Sequence, residues 1–270
     1  MQTFPIAIIG GTGVGQFPLD AAPRTVIIAT PYGDASATLG SLHGKPVAFL
    51  ARHGAGHKLP PHRINYRANI AALVMLGVRA VIATTAVGGM HLGMQPGDFV
   101  LLDDFIDFTG SRPHKTFFDG ENGSPVVHTD FTRPYSDAVR DVILAAAAEL
   151  AIPLRPTGTY LAGDGPRYES PAEVRLFAAW GADVAGMTGV PEATLAREAG
   201  LHYAGISLVT NPGAGLSDVP LTHAEVEDAM QDAAPRLREL IIRAVAGLDA
   251  QSLPPIGSGA SLPGVVVTGA

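Results

Sequence analysis

A short basic segment is the part of this chain whose residue types are best suited to chemistry. Residues 52–67 contain four Lys/Arg and three His and no acidic residue, although the whole chain has 25 Asp+Glu against 18 Lys+Arg. A nucleic-acid surface needs a wide positive face, so this local cluster predicts a pocket for one small anion rather than a nucleic-acid partner. The alternative is a solvated basic loop. The pocket is favoured because Arg52 and His53 directly follow the apolar run 47–51, and α/β proteins bind ligands at strand ends.

A glycine-rich turn follows the first apolar run, at residues 10–15. Backbone N–H groups in such a turn can approach an anion closely, and Thr12 adds a hydroxyl donor. The dinucleotide fingerprint is not met, because Gln16 stands where its third glycine is required, and Gly44-Lys45 is followed by proline rather than by the Ser/Thr of a P-loop. A dinucleotide or nucleoside triphosphate ligand therefore lacks support, and a tight turn without any ligand is the alternative.

Candidate anion ligands lie at four predicted strand ends. Thr12, Arg52-His53, Thr85 and Thr188 each lie where a predicted strand gives way to a loop. Hydroxyls, backbone N–H groups, a guanidinium and an imidazole together suit a tetrahedral oxyanion. Any one threonine at a strand end is more often structural, so the shared position of all four carries the prediction.

Composition limits the classes to which the protein can belong. The chain of 270 residues is 47% hydrophobic and 16% charged, which predicts a folded domain with a sizeable core. It has no cysteine, which excludes disulfides, thiolate catalysis and Cys-based metal sites. No basic leader precedes the first apolar run, and no apolar run approaches the ~20 residues of a membrane span. We therefore expect a cytoplasmic protein without a membrane partner. Asp103, Asp104 and Asp107 lack neighbouring His residues, and no metal site is expected.

Strand-like and helical patterns alternate along the chain. Continuous apolar runs predict buried strands at 6–10, 47–51, 80–86, 99–103, 159–162, 183–187 and 202–210. Helical patterns lie at 66–76, 137–150, 171–180, 191–198 and about 222–246, the last starting at a capping box formed by Thr222 and Glu225. This alternation predicts a three-layer α/β fold with a parallel or mixed sheet. Residues 1–250 form one predicted domain, and the Ser/Gly/Pro-rich residues 251–270 form a predicted C-terminal tail of little structure.

A set of motifs, in order from about residue 5 to 235, resembles the methylthioadenosine phosphorylase and purine nucleoside phosphorylase family. The motifs are Gly10-Gly11-Thr12-Gly13, Ala51-Arg52-His53-Gly54, Asn65-Tyr66-Arg67-Ala68-Asn69, Thr84-Thr85-Ala86, Gln95-Pro96-Gly97-Asp98, Gly165-Pro166-Arg167, Gly181-Ala182-Asp183 and Met187-Thr188-Gly189-Val190-Pro191-Glu192. The resemblance implies that family's phosphorylase-like α/β fold, with a central mixed sheet flanked by helices, and a homotrimer. It also implies phosphorolysis, in which inorganic phosphate and a purine nucleoside give ribose 1-phosphate and the free base.

The same resemblance assigns roles to individual residues. The phosphate ligands would be Thr12, Arg52, His53, Thr85, Ala86 and Thr188. The nucleoside would contact Met187 beneath the ribose, Tyr168 at the base or sugar face, Gly213, and His128 lent by a neighbouring subunit. Phosphate itself is the nucleophile, so the reaction needs no cofactor and no metal. The protein must instead place phosphate beneath C1′ and stabilise the charge on the departing base.

Two residues indicate which purine is used. The resemblance pairs Glu169 and Asn211 with the 6-oxopurine branch of the family, whereas members acting on adenine nucleosides carry Ser and Asp there. An ionised Glu169 accepts from the N1–H of hypoxanthine or guanine but repels the N1 lone pair of adenine. Asn211 can donate to O6 or N7, although an amide can also turn over. A site built for one hydrogen-bond pattern rejects the other by ~10⁴-fold or more. A surface carboxylate near a helix start is the alternative for Glu169.

The 5′ end of the sugar leaves alternatives open. His223 resembles the 5′-hydroxyl ligand of 6-oxopurine phosphorylases, but a solvated His in a first helical turn fits equally, and Val226 could offer an apolar wall. We expect phosphorolysis of inosine and guanosine in purine salvage, with 5′-methylthioinosine and then 5′-methylthioadenosine as alternative substrates. A nucleoside hydrolase or an inert purine-binding protein are the competitors from other classes.

Overall fold

The computed structural model describes residues 2–11, 17–20, 23–110, 112, 114–121, 124–217 and 223–266, with only the backbone for 223–225. Within these residues, eleven strands form one sheet. The strands are β1 Ile6–Gly10, β2 Arg24–Thr30, β3 Gly33–Leu42, β4 Lys45–Ala51, β5 Ala80–Gly89, β6 Phe99–Leu101, β7 Asp104–Asp107, β8 Leu154–Arg155, β9 Thr159–Ala162, β10 Val184–Gly186 and β11 His202–Pro212. The helices are α1 Tyr66–Met75, α2 Asp137–Glu149, α3 Pro171–Ala179, α4 Gly189–Glu198 and α5 His223–Gly247.

Strand β5 is the centre of the sheet. It runs parallel to β1 and β11, and its last residues, Gly88 and Gly89, pair antiparallel with β10. The hairpin strands β2, β3 and β4 pair antiparallel at one side, whereas β9 is parallel to both β7 and β10. The sheet is therefore mixed, as the sequence predicted.

The two faces of the sheet are covered by different helices. Along β1, Ala7 and Ile9 join a buried cluster that includes side chains of α1 and α4. Ile6 and Ile8 point the other way and join a cluster with α2 and α5. This alternation follows from the two-residue period of a strand. The helix–sheet–helix arrangement confirms the predicted three-layer α/β fold.

Some predicted elements differ from those observed. The hairpin of β2 and β3 was not predicted, because β3 buries mainly small side chains such as Ala35 and Ala37 between exposed polar residues. The strand predicted at 99–103 is present but ends at Leu101, and a further strand that was not predicted, β7, begins at Asp104 and pairs with β9. The predicted helix start at Thr222 lies outside the described residues.

The C-terminal segment 251–266 contains no helix or strand but packs against the domain. Leu253 and Leu262 are buried. His202 Nε2 lies 2.7 Å from the carbonyl oxygen of Pro254, and the Tyr32 hydroxyl donates to Pro263 at 3.1 Å. The division into a domain and a tail stays a prediction. None of the helices in the described part of the chain is long and apolar enough to span a membrane.

Candidate active site

A cavity of about 390 Å³ opens at the ends of the central strands. Ten of the predicted site residues border it: Arg52, His53, Thr85, Ala86, Tyr168, Glu169, Met187, Thr188, Asn211 and Gly213. Thr12 and the side chain of His223 lie outside the described residues. His128 is exposed and does not border this cavity.

The strand pairing explains why these residues meet. Arg52 follows β4, and Thr85 and Asn211 lie towards the ends of β5 and β11. Strand β1 is parallel to both β4 and β5, and β5 is parallel to β11, so these strands end at the same edge of the sheet. Strand β10 enters from the opposite direction: Val184 pairs with Gly89, so the chain then runs back along β5. Met187 and Thr188 therefore arrive beside the same strand end although their strand is antiparallel to β5.

The guanidinium of Arg52 was expected to be available to an anion, but it is already bound to a carboxylate of the protein. Its Nε and Nη2 donate to the two carboxylate oxygens of Glu192, each at 2.7 Å, and Nη1 donates to the carbonyl of Thr84 at 2.7 Å. Both side chains are almost fully buried. Burial opposes the charge of Arg52, but Glu192 more than offsets that effect, and the pKa of Arg52 is raised overall. Two guanidinium N–H groups remain for a ligand, although the positive charge is already balanced.

Gly11 makes the position of Arg52 possible. A Cβ atom at Gly11 would lie 2.7 Å from Arg52 Nη1 and 3.0 Å from the carbonyl oxygen of Thr84. The Gly11 N–H also faces the Thr84 hydroxyl oxygen at 3.3 Å. This glycine thus lets the backbone approach a buried guanidinium as well as the cavity that it borders.

His53 is held as a neutral imidazole. Its Nδ1 lies 2.8 Å from the carbonyl oxygen of Leu59, and because a carbonyl can only accept, Nδ1 carries the proton. Burial lowers the pKa of His53 to about 4. The other ring nitrogen, Nε2, is then an acceptor at neutral pH. His53 can therefore accept a hydrogen bond from the P–OH group of monohydrogen phosphate but cannot donate one to it.

Two buried hydroxyl groups support the threonine positions. The Thr85 and Ser207 hydroxyl oxygens lie 2.8 Å apart, because these two residues are paired in the register of β5 and β11. The Tyr160 hydroxyl accepts from the backbone N–H groups of Thr188 and Gly189, each at 3.1 Å. Neither Ser207 nor Tyr160 was predicted, because each acts through a neighbour rather than on the cavity.

Asn211 is turned towards the cavity by an irregularity in β11. The register with β5 shifts between Val209 and Asn211, which is a β-bulge, and bulges of this kind re-aim side chains beside active sites. The Asn211 amide nitrogen donates to the Pro212 carbonyl at 2.9 Å, and its oxygen accepts from the Thr210 hydroxyl at 2.9 Å. Since the Pro212 carbonyl can only accept, the nitrogen must face it. The amide orientation that the sequence left ambiguous is therefore defined, with one N–H remaining for a ligand.

Glu169 is the acidic group of this cavity. It lies after the chain segment 163–166, and its Oε1 is 3.4 Å from the position that a Cβ on Gly163 would occupy. Burial raises the pKa of the Glu169 carboxyl above its ordinary value. A half-buried carboxylate favours a ligand that donates a hydrogen bond to it.

Arg112 connects the chain segments that form two walls of the site. Its guanidinium lies between 2.5 and 3.0 Å from four backbone carbonyl oxygens. These oxygens belong to Gly163, Asp164, Met187 and Val190. The segment leading to Glu169 and the residue beneath the expected ribose position are thereby held by one side chain. Sequence reasoning missed Arg112 because it belongs to none of the motifs that carried the family resemblance.

Within the described residues, no group of three or more His, Cys, Asp or Glu is placed to hold a metal ion. The polar groups that border the cavity include hydroxyls, the guanidinium of a buried ion pair, one neutral imidazole, one amide, one carboxylate and the exposed side chain of Lys58. Such a set can bind a tetrahedral oxyanion at one end and a hydrogen-bonding ring at the other.

Comparisons with known proteins identify the family of the chain. A family model described as the Phosphorylase superfamily matches residues 5–246. The chain is 51% identical over 245 residues to the 6-oxopurine nucleoside phosphorylase of Pyrococcus furiosus, a match that covers 89% of this chain and 91% of that protein. It is 44% identical over 239 residues to a probable S-methyl-5'-thioinosine phosphorylase of Pseudomonas syringae, covering 88% and 96% respectively.

A solved structure of similar fold extends the comparison. The methylthioadenosine phosphorylase from Schistosoma mansoni in complex with adenine superposes with a TM-score of 0.85 at 31% identity. The superposition covers 89% of this chain and 90% of that one. With a family model spanning most of its length and relatives about half identical to it, the chain belongs to the phosphorylase superfamily.

Proposed function

We propose that this protein catalyses the phosphorolysis of 6-oxopurine nucleosides, giving ribose 1-phosphate and hypoxanthine or guanine. The observation that carries the proposal is that Glu169 and Asn211 border the same cavity as the oxyanion-suited residues Thr85 and Thr188. An acceptor and a donor for a 6-oxopurine thus lie in one cavity with hydroxyl groups suited to phosphate.

At the phosphate end, the residues already predicted to bind phosphate offer several hydrogen-bond donors but little net positive charge. The Thr85 and Thr188 hydroxyls and the remaining N–H groups of Arg52 can donate to phosphate oxygens. Neutral His53 accepts from the single P–OH of monohydrogen phosphate. Held beneath C1′ in this way, phosphate attacks as the ribose–purine bond breaks, and no side-chain nucleophile or cofactor is required.

At the base end, the two polar residues complement a 6-oxopurine. Glu169 accepts from N1–H, and the free amide N–H of Asn211 donates to O6 or N7, where negative charge develops as the base departs. The Thr210 hydroxyl on the amide oxygen supports this donor role of Asn211. An adenine ring would instead direct its bare N1 towards the Glu169 carboxylate.

A second candidate substrate is 5′-methylthioinosine, which shares the same base. The observation favouring it is that Val226, which is buried, borders the cavity and could contact a methylthio group. Relatives 44% identical to the chain carry the name of a probable S-methyl-5'-thioinosine phosphorylase. We keep inosine and guanosine first, because several relatives at higher identity are named 6-oxopurine nucleoside phosphorylases.

A homotrimer, a cytoplasmic location and a role in purine salvage belong to the same proposal and rest on the family resemblance. The exposed position of His128 is compatible with its being lent to a neighbouring subunit. Sedimentation of the purified protein tests the trimer directly.

The test of function is release of free base from inosine, guanosine, adenosine, 5′-methylthioinosine and 5′-methylthioadenosine, each with and without phosphate. We expect phosphate-dependent cleavage of inosine or guanosine. Both adenine nucleosides should be cleaved much more slowly. Equal cleavage without phosphate would identify a hydrolase. A preference for methylthioadenosine would refute the assignment of the base to Glu169 and Asn211.

A further inference from the structure

The cavity is short of positive charge for a site that must hold a phosphate dianion. Among the described residues, the Lys, Arg, Asp and Glu side chains that border it are those of Arg52, Lys58 and Glu169. The charge of Arg52 is balanced by Glu192, which is bound to it at two points. Glu169 carries a negative charge when ionised. Two Lys or Arg residues of the described chain thus border the cavity. Arg52 forms an ion pair with Glu192, and Lys58 does not form one with any described residue.

Three of the predicted phosphate ligands cannot supply the missing charge. His53 has its Nδ1 proton committed to the Leu59 carbonyl, and its pKa is lowered to about 4 by burial, so it is neutral at physiological pH. Thr85 and Thr188 offer only hydroxyl groups. A dianion bound by neutral donors alone would leave most of the cost of its dehydration uncompensated.

The loop that carries Lys58 is fixed against the predicted phosphate ligands. Leu59 and His53 exchange two hydrogen bonds: the Leu59 N–H donates to the His53 carbonyl at 3.1 Å, and His53 Nδ1 donates to the Leu59 carbonyl at 2.8 Å. The rings of His53 and His57 lie 4.1 Å apart. Lys58 lies in the chain between His57 and Leu59, is exposed and borders the cavity, and its Cε is 3.6 Å from the position that a Cβ on Gly56 would occupy.

We propose that Lys58 binds the phosphate co-substrate and supplies its countercharge. The inference rests on the proposed phosphorolysis and deepens it by naming a ligand that neither the anion-site motifs nor the family resemblance assigned. A lysine ammonium is suited to this role, because it acts on phosphate as a mobile point charge and needs no fixed fork geometry.

One other role for Lys58 makes a different prediction. Lys58 could reach across the cavity and pair with the Glu169 carboxylate, which would tie it to the base rather than to phosphate. In that case its loss would change the use of the nucleoside. Separate KM values for phosphate and inosine therefore distinguish the two roles.

The experiment compares wild type with Lys58→Met and Lys58→Arg, measuring initial rates against phosphate at saturating inosine and against inosine at saturating phosphate. We expect Lys58→Met to raise the KM for phosphate by about tenfold or more, the usual scale for a lost hydrogen bond to a charged group. The KM for inosine should change little, and saturating phosphate should restore most of kcat. Lys58→Arg, which keeps the charge, should recover the wild-type phosphate KM to a large extent.

Arg63→Met is the matched control. It removes one positive charge from the same basic segment, but Arg63 is exposed and does not border the cavity. We expect its phosphate KM to stay at the wild-type value. Titration of inorganic phosphate alone into wild type and Lys58→Met by calorimetry gives a second readout, in which the variant should bind more weakly.

Each outcome is decisive. If wild type shows no phosphate-dependent cleavage, the proposed function itself fails. If wild type is phosphate-dependent and Lys58→Met retains its phosphate KM, the role of Lys58 is refuted while the proposed function stands. A raised inosine KM with an unchanged phosphate KM would assign Lys58 to the nucleoside, and an equal rise in Arg63→Met would reduce the effect to general electrostatics.

Discussion

Glu192 accepts two hydrogen bonds of 2.7 Å from Arg52 in the interior of the protein, so the most basic group of the predicted anion site is electrically balanced before any ligand arrives. The Tyr203 hydroxyl donates to the same carboxylate at 2.8 Å. With its remaining bond to the Thr84 carbonyl, Arg52 is a fixed part of the cavity wall. Its contribution to ligand binding is then two oriented N–H groups rather than a net charge.

Removing one member of this pair should destabilise the fold strongly. In Glu192→Ala the guanidinium of Arg52 would remain buried without its partner, a change that typically costs about 3–5 kcal/mol. We expect a corresponding fall in the free energy of unfolding, measured by urea denaturation. Glu149→Ala breaks an equally close pair with Arg243 on the exposed surface and serves as the control. A loss in Glu192→Ala no larger than in the control would contradict the prediction.

Changing the base acceptor should alter substrate choice. Glu169→Gln keeps the shape of the side chain but adds an N–H donor, which can face the bare N1 of adenine. We expect kcat/KM for inosine to fall by about 10- to 100-fold, the scale of one hydrogen bond to a charged group. The ratio of adenosine to inosine activity should rise. An unchanged ratio would show that Glu169 does not contact the base edge.

The raised pKa of Glu169 predicts how both kcat/KM for inosine and the stability of the fold change with pH. The ionised form accepts from N1–H, so kcat/KM for inosine should fall as the pH drops through a value above the ordinary 4.5. Because burial raises the folded-state pKa, this residue contributes stability below its unfolded pKa that is lost as the pH rises through the folded value. Glu169→Gln should therefore be more stable than wild type at neutral pH, and the difference should vanish in acid.

Glu173 provides the control for that stability measurement. Its hydrogen bonds with Arg167 and with the Ser170 backbone lower the pKa of Glu173 to about 2, which is the opposite direction. Glu173→Gln should thus lose stability relative to wild type at neutral pH and recover in acid. Thermal melts across the pH range measure both variants, and curves of the same sign would contradict the assignment of Glu169 as a buried carboxylate.

The sequence predicted the residues that border the cavity better than the residues that hold them. Arg52, Thr85 and Thr188 were predicted to lie together from their positions at or near strand ends, whereas Asn211 was assigned through the family resemblance; all four border the cavity. Their supporting partners come from distant parts of the chain: Ser207 reaches Thr85 through strand register alone. No local pattern marks such a partner. A buried arginine generally needs an acidic partner. This rule could have drawn attention to Glu192, which ends the family motif 187–192 and had been given no role.

The main failures of prediction along the fold have a similar cause. The hairpin of β2 and β3 pairs at the side of the sheet, where no residue of β2 is buried, Ile27 is exposed, and β3 buries Ala35, Ala37, Leu39 and Leu42 among polar residues. The reversal of β10 against β5 is set by pairing between distant residues. Sequence periodicity reports which residues are buried, but it carries no information about strand direction.

Arg112 offers the sharpest test of how the site is positioned. In Arg112→Met, four backbone carbonyls lose a common donor, and the chain segments around Gly163 and Met187 are no longer tied together. We expect kcat/KM for inosine to fall by about 100-fold, the scale that a misplacement of roughly 1 Å can produce. Arg112→Lys should rescue little, because an ammonium cannot reproduce the planar fork that spans several carbonyls.

The control for Arg112 is the same substitution at another arginine that binds a carbonyl. Arg140 donates to the Pro156 carbonyl at 2.7 Å, and neither residue borders the cavity. Arg140→Met should lower the melting temperature but leave kcat/KM of the folded protein near the wild-type value. If both variants lose activity only in proportion to the fraction unfolded, Arg112 stabilises the fold without positioning the site. A selective loss of kcat/KM in folded Arg112→Met, with the melting temperature lowered to a similar extent in both variants, would establish the positioning role.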